Sequence, residues 1–409
     1  MMKELHTGQL YWPTTIQQAA SYGALNGNTS ATIAVLGGGM SGVACAYTFA
    51  EAGLDTVLIE RGTIAAGSTS ANTGLLQFSS DMMLSELQDQ IGKEPARRFY
   101  RSSLQALEHI AELAKRLKTD VEFRPRSSLY YASSEQELPG LKLEYEALRD
   151  CGFDVEWWDA DKLEQEFPFR KPGAIVTHGD AEINPLKFAV ALSEEAAALG
   201  LRIFEDTDMV NHERLEGNKH RLHTASGHTI DVDYVVYAIG YEPEELRGRL
   251  RQADLNRSYV IVTDPQEEGE LWQNRMMIWE TARPYLYMRA TCDNRIIVGG
   301  LDEEKERPVH NRKHQADRSE ELLSSFKALF PDSKARIEFT WNATFGESLD
   351  GLPFVGEDPS WPGVYYNLGY GGNGTVCSVL GSQILLDMIK NGAPHPLPFI
   401  GIRDFAERR

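Results

Sequence analysis

Apolar and polar positions along this chain fall into alternating short runs and helical stripes. Residues 33–36 form an unbroken apolar run, as in a strand buried on both faces. Residues 43–52 read as a small-residue helix stopped by Gly53, and 56–59 as a second apolar strand that ends on Glu60. Tyr11, Trp12, Pro13 and Tyr22 mark residues 1–31 as an arm packed on the body. Residues 102–118 place Leu104, Leu107, Ala111, Ala114 and Leu117 on one helical face. Further helices are predicted at 136–150, interrupted early by Pro139, at 186–199 with Gly200 as its stop, at 322–330 before Pro331, and at 376–389. Strands are predicted at 129–132, 201–204, 222–224, 229–232 and 234–239, with Ser226-Gly227 as a hairpin turn. The runs 259–263, 276–279, 285–289, 295–299 and 337–340 read as an antiparallel sheet, and 354–355 and 364–368 as short strands. Residues 179–185 read as punctuation, and 302–321 as a charged, solvated segment.

Strand, helix and strand at the start, followed by helix, strand and hairpin after residue 178, imply an interleaved architecture. A Rossmann-type α/β domain is expected from residues 1–80, 179–242 and 341–409. An α+β domain with an antiparallel sheet is expected from 81–178 and 243–340, inserted between those pieces.

Composition narrows the class. With 409 residues, 42% hydrophobic and 25% charged, the chain can bury a large core of ordinary globular type. A net charge of −19 with no basic stripe argues against a nucleic-acid partner and is compatible with a cationic substrate. No apolar run approaches a membrane span, and no secretory h-region is seen, so a cytoplasmic protein is expected. Cys45, Cys151, Cys292 and Cys377 are far apart and form neither a metal site nor a redox pair.

The chemistry starts at the first two strands. Gly37, Gly39 and Gly42 stand as Gly-x-Gly-x-x-Gly between strand and helix, with Met40 and Ser41 inside the motif. Gly37 permits the tight turn, Gly39 lets backbone approach a pyrophosphate, and Gly42 lets the helix pack closely on the sheet. The free N–H groups at the helix start face phosphates. Glu60, about 20 residues on, can accept from a ribose diol. The motif leaves FAD and NAD open. Residues 67–76 are rich in small hydroxyl side chains; Ser68, Thr69, Ser70 and Asn72 offer donors without bulk for a second cofactor contact. Gly369 to Thr375 is a second glycine cluster directly before a helix, suited to the negative edge of a reduced flavin.

These segments, with 234–240, 287–300 and 341–356, resemble the FAD-dependent D-amino-acid oxidase superfamily over nearly the whole chain. The Tyr11-Trp12 arm, the run 285–300 and Trp341 followed by Leu349-Asp350-Gly351-Leu352-Pro353 look closest to its γ-glutamylputrescine oxidase-like and glycine oxidase-like branches. The resemblance implies a glutathione-reductase-like FAD-binding domain. In it, Glu60 holds the adenosine ribose and Arg61 lies by the adenine. Ser68, Thr69, Ser70, Asn72, Thr73, Gly74 and Leu75 run along the pyrophosphate and isoalloxazine. Val210 contacts the adenine region, Ala238 and Gly240 pass near the ADP part, and Gly371, Gly372, Asn373, Gly374 and Thr375 meet the flavin pyrimidine edge.

Three departures from the family matter. The substrate-carboxylate arginine of D-amino-acid and glycine oxidases is replaced by Phe345. The flavin-linking cysteine of the sarcosine oxidase relatives is replaced by Ala343, so FAD is expected to be non-covalent. No lysine stands on 295–299, where those relatives use one with oxygen. The inserted sheet should roof the flavin, with Tyr259, Tyr287, Arg289 and Trp341 lining it and Phe345 and Tyr370 at the mouth. Arg289 reads either as a binder of a distal carboxylate or as a structural salt-bridge partner. The expected reaction is oxidation of a C–N bond of an amine or amino-acid derivative by hydride transfer to flavin N5. A flavin-dependent dehydrogenase of the 2-hydroxy-acid or glycerol-phosphate type is the alternative enzyme; it wants a base, and His178, His223 and His228 are poorly placed. A flavin-binding redox sensor without turnover is the alternative of another class.

Overall fold

The computed structural model describes residues 5–17, 19–240, 253–305, 307–369 and 371–403. Their strands form two open sheets. The smaller one runs in the order Phe354–Glu357, Val364–Leu368, Thr229–Tyr237, Thr29–Leu36, Thr56–Ile59 and Arg202–Phe204. Strands His220–Thr224 and Met209–Arg214 extend it as a meander beside Thr229–Tyr237. The five strands from Val364–Leu368 to Arg202–Phe204 are parallel. Their apolar runs fit that position, since Ile33, Val35, Val57 and Leu58 are fully buried between layers. Helix Met40–Glu51 lies against helices Gly374–Asn391 and Pro185–Ala198. Thr229–Tyr237 is one strand where the sequence reads two; Asp231 lies beside Arg221 of the neighbouring strand, so its polar positions pair rather than interrupt it.

The larger sheet has ten strands. The order is His6–Gln9, Ile337–Ser348, Ala253–Thr263, Ile296–Glu303, Leu286–Ala290, Met277–Glu280, Arg124–Tyr131, Gly173–Glu182 and Leu75–Leu76, with Val155–Asp159 also beside Gly173–Glu182. All its pairs are antiparallel except Met277–Glu280 with Arg124–Tyr131. Several strands cross the boundaries expected from sequence. Gly173–Glu182 passes residue 179, where Gly179 sits in a bulge rather than a break. Ile337–Ser348 passes residue 341, and Leu75–Leu76 joins this sheet rather than the smaller one.

Helix starts explain the other differences. Pro139 stands in the first turn of Leu138–Asp150, where its missing N–H costs nothing, so it opens that helix rather than interrupting it. The segment 302–321 is not simply solvated. Helix Arg312–Leu329 begins there because the Asn311 side chain accepts from the Lys313 and His314 N–H groups at 3.0 and 3.2 Å. Its buried Gln315 donates to Thr340 Oγ1 at 2.7 Å. The arm packs as expected: Tyr11 and Trp12 are buried, and strand His6–Gln9 pairs with Ile337–Ser348.

Candidate active site

The glycines of the first turn do three different things. Gly37 has φ 102°, and a Cβ there would lie 2.5 Å from Ala238 O. Gly42 is pressed onto the turn, so that a Cβ would lie 1.7 Å from Gly37 O. Gly39 faces open space; the nearest atom to a Cβ would be Thr69 Oγ1 at 3.4 Å. No side chain caps the helix from Gly39, and Thr69 Oγ1 accepts the Met40 N–H at 2.9 Å. A helix start with an uncovered glycine is a cradle for an anion. Beside it Glu60 is fixed by two backbone amides, Gly38 N–H to Oε2 at 2.6 Å and Gly62 N–H to Oε1 at 2.7 Å.

From this cradle a single cavity of about 900 Å³ runs to the larger sheet. Gly37, Gly39, Met40, Ser41, Glu60 and Arg61 line its first end, together with Val210, Ala238 and Gly240. Ser68, Thr69, Asn72, Thr73 and Leu75 line the middle, and Gly371, Gly372, Asn373, Gly374 and Thr375 line the wall at the second helix start. Three of the expected contacts do not line it. Gly42 is spent on packing against the turn. Ser70 is buried and its hydroxyl donates to Ala66 and Gly67 carbonyls. Gly74, at φ 75°, sits where a Cβ would meet Ile183 O at 2.2 Å.

The loop after the short helix Ser68–Ala71 is held by its carbonyls. Trp341 Nε1 donates to Ala71 O at 3.0 Å, Trp12 Nε1 to Asn72 O at 2.6 Å, and Arg289 Nε to Thr73 O at 2.7 Å. The Ile183 N–H donates to Gly74 O at 3.0 Å. Four successive carbonyls thus point outward, and the other side of the loop is left for the cavity. Arg289 and Trp341 are therefore corrections to the expected lining. Arg289 also donates to Ile183 O at 2.9 Å and Ala290 O at 3.0 Å and stacks over the Trp12 ring. Burial pulls its guanidinium pKa down, and nearby Glu182 opposes that. Arg289 holds the loop and faces away from the cavity.

Tyr259 is a further correction. Side chains alternate along its strand, so Ser258 and Val260 face the cavity while Tyr259 packs into the other layer, hydrogen-bonded to His314 Nε2 at 2.9 Å. Tyr287 and Phe345 do line the cavity, and Tyr370 falls outside the described residues. Burial raises the Tyr287 hydroxyl pKa, opposed in part by hydrogen bonds with Thr73 and Ser258. The sequence reading missed Gln77, Ser79, Asp81, Trp279 and Tyr285, all lining residues. Asp81 accepts from the Gly372 N–H at 2.5 Å. Burial raises its pKa, offset in part by that bond and by the charge of Arg283. Ser68 Oγ and Ser79 Oγ are buried without a partner and line the cavity. An open cradle, a fixed ribose acceptor and hydroxyls awaiting a partner fit an extended dinucleotide.

Comparison with known proteins agrees. A family model described as FAD dependent oxidoreductase (DAO) matches residues 32–388. The chain is 24% identical to gamma-glutamylputrescine oxidoreductase of Escherichia coli (strain K12) over 395 residues, covering 95% of this chain and 90% of the other. It is 26% identical to glycine oxidase of Geobacillus kaustophilus (strain HTA426), covering 88% and 92%. The crystal structure of glycine oxidase from Geobacillus kaustophilus superposes with a TM-score of 0.78 at 22% identity, covering 91% and 98% of the two chains. No helix among the described residues is long and apolar enough to cross a membrane. The nucleotide cradle, the inserted sheet above it and the match across both sheets agree: this chain belongs to the DAO family of FAD-dependent oxidoreductases.

Proposed function

We propose that the chain oxidises a C–N bond of an amine or amino-acid derivative to the imine, which water then hydrolyses. The observation that carries this reading is the continuity of the cavity, from the dinucleotide cradle at Gly39 and Glu60 to a wall of Trp279, Tyr285, Tyr287 and Phe345. The relatives named above act on amino compounds, as their names state. Bound FAD supplies a two-electron acceptor for the hydride lost from the carbon that bears the nitrogen. Glu60 would accept from the adenosine ribose, Ser68, Thr69, Asn72, Thr73 and Leu75 would hold the pyrophosphate and ring, and the helix start at Gly374 would stabilise negative charge on the reduced ring. The aromatic wall excludes water from the transfer.

The chain need not supply an acid or base, because an uncharged amine drives hydride loss with its own lone pair. Oxidising a hydroxyl would need a base. Among the described lining residues the only histidine is His6, whose Nε2 is engaged 3.1 Å from Ala66 O. FAD is bound without a covalent link. Ala343 lines the cavity, and none of Cys45, Cys151, Cys292 and Cys377 does. Four unpaired cysteines also fit a reducing, cytoplasmic compartment.

Anaerobic stopped-flow mixing with amines tests the reaction. Flavin reduction should speed up as pH rises through the titration of the substrate amine. A flat profile, or bleaching by hydroxy acids alone, would refute the reading. Acid precipitation should leave the yellow colour in the supernatant; colour retained in the pellet would refute non-covalent binding.

A further inference from the structure

The aromatic end of the cavity is acidic. Asp81 lines it, and Asp81, Asp302 and Glu347 all act electrostatically on the Tyr285 hydroxyl. Asp302 is hydrogen-bonded to Ser258, a lining residue, and its Oδ1 is buried without a partner. Burial, opposed by that hydrogen bond, pushes Asp302 up to about 6. Near Asp81 in the chain, Ser79 is 9% exposed, and its buried hydroxyl has no partner and lines the same space. The basic lining residues among those described are Arg61, next to Glu60, and His6, whose Nε2 lies 3.1 Å from Ala66 O. Among the described residues the guanidinium of Arg283 acts on both Asp81 and Asp302; it is exposed, does not line the cavity and stacks 4.9 Å over the Tyr285 ring. That ring face is already suited to a cation.

An anion here is unhelpful to the amine being oxidised. A carboxylate favours the charged ammonium, and hydride leaves only from the neutral amine. The arrangement makes sense when the substrate carries two nitrogens, one neutral at the flavin and one charged at the acids. A carboxylate on the reacting carbon would instead meet Phe345 on one side and the carboxylate of Asp81 on the other. We propose that this end of the cavity selects amines that carry a second, permanent positive charge and no carboxylate on the oxidised carbon, with Asp81 as the anchoring anion. This inference rests on the amine-oxidising reading above.

The test is calorimetric binding of 4-(trimethylammonio)butanamide against its uncharged isostere 5,5-dimethylhexanamide to the holoenzyme. Neither probe has an amine nitrogen to oxidise, so binding is read apart from turnover. The cation should bind ~10-fold or more tightly, the range of a desolvated charge pair. Asp81→Asn should remove most of that ratio and Asp81→Glu should keep it, with flavin content measured for both. Equal affinity of the two probes for the wild-type enzyme overturns the inference whatever the variants do, and so does an unchanged ratio in Asp81→Asn. Selectivity for the cationic probe without bleaching by any amine would sink amine oxidation and leave the anchor standing. Bleaching by amines with equal probe affinity would do the reverse.

Discussion

Replacing Arg289 with methionine keeps much of the side chain's length and apolar stem and removes all its donors. The wild-type guanidinium donates to Thr73 O, Ile183 O and Ala290 O, and its Nη1 lies 3.6 Å from Glu182, whose side chain is 1% exposed. The variant leaves three carbonyls short of a buried donor. It also leaves Glu182 with Arg126, at 2.9 Å, as its remaining cation. Unmet buried acceptors cost ~1 kcal/mol or more each, and a half-broken buried ion pair costs about as much again, so the loss is about 4 kcal/mol. With an unfolding entropy of about 2.1 cal/mol/K per residue, that is a fall in Tm of roughly 5 °C for a chain of this length. The Thr73 carbonyl is also freed, so the loop beside the cofactor loosens and the FAD Kd rises ~10-fold. Thermal melts of apoprotein and holoenzyme, with fluorescence titration of FAD, read both effects. Unchanged Tm and unchanged FAD affinity together with lost amine oxidation would refute this account and make Arg289 a substrate ligand.

Gly42→Val should abolish FAD binding in a fluorescence titration, since its Cβ would fall 1.7 Å from Gly37 O and the nucleotide turn must open. Glu60→Ala releases the Gly38 and Gly62 amides and removes the ribose acceptor; FAD affinity should drop ~10-fold or more in the same titration. Glu303 gives the acid limb of stability. Burial works against its ionisation, and hydrogen bonds and charges of Arg257 and Arg318 outweigh burial, holding it down at about 2 from the ordinary 4.5. A depressed carboxylate contributes stability above its unfolded pKa that is lost as pH falls through the folded value. Urea midpoints should therefore fall between pH 4.5 and 2 in the wild-type protein and fall less steeply in Glu303→Gln.

Local chemistry made much of the site legible. The Gly37–Gly42 turn, Glu60, the hydroxyl loop and the Gly371–Thr375 cluster each carry their purpose in a few adjacent residues, and all reach the same cavity. What a strand residue faces was harder. The run Tyr259-Val260-Ile261-Val262 is apolar at every position because its sheet is covered on both sides, so period two could not say that Ser258 rather than Tyr259 looks inward. Asp81 and Tyr285 belong to no local pattern. Asp81 reaches the second glycine cluster through its contact with Gly372, nearly 300 positions away, and Tyr285 reaches the same cavity from another strand end. Arg289 read equally as a binder of a distal carboxylate or as a structural salt-bridge partner; the structure gives it backbone carbonyls, with Glu182 3.6 Å away, and carbonyl partners leave no mark in a sequence.

The grip of Trp12 and Trp341 on successive carbonyls has a temporal side. During synthesis the glycine turn and its helix leave the ribosome early, yet the second indole lies some 330 residues after the first, and the strand pairing His6 with Ala343 closes at the same late point. At 5–20 residues per second that interval lasts about half a minute or so. A nascent chain can therefore expose its nucleotide turn long before it can hold the loop beside it, so high-affinity FAD capture becomes a late event and the cofactor acts as a latch that closes only after Ala343 has been made.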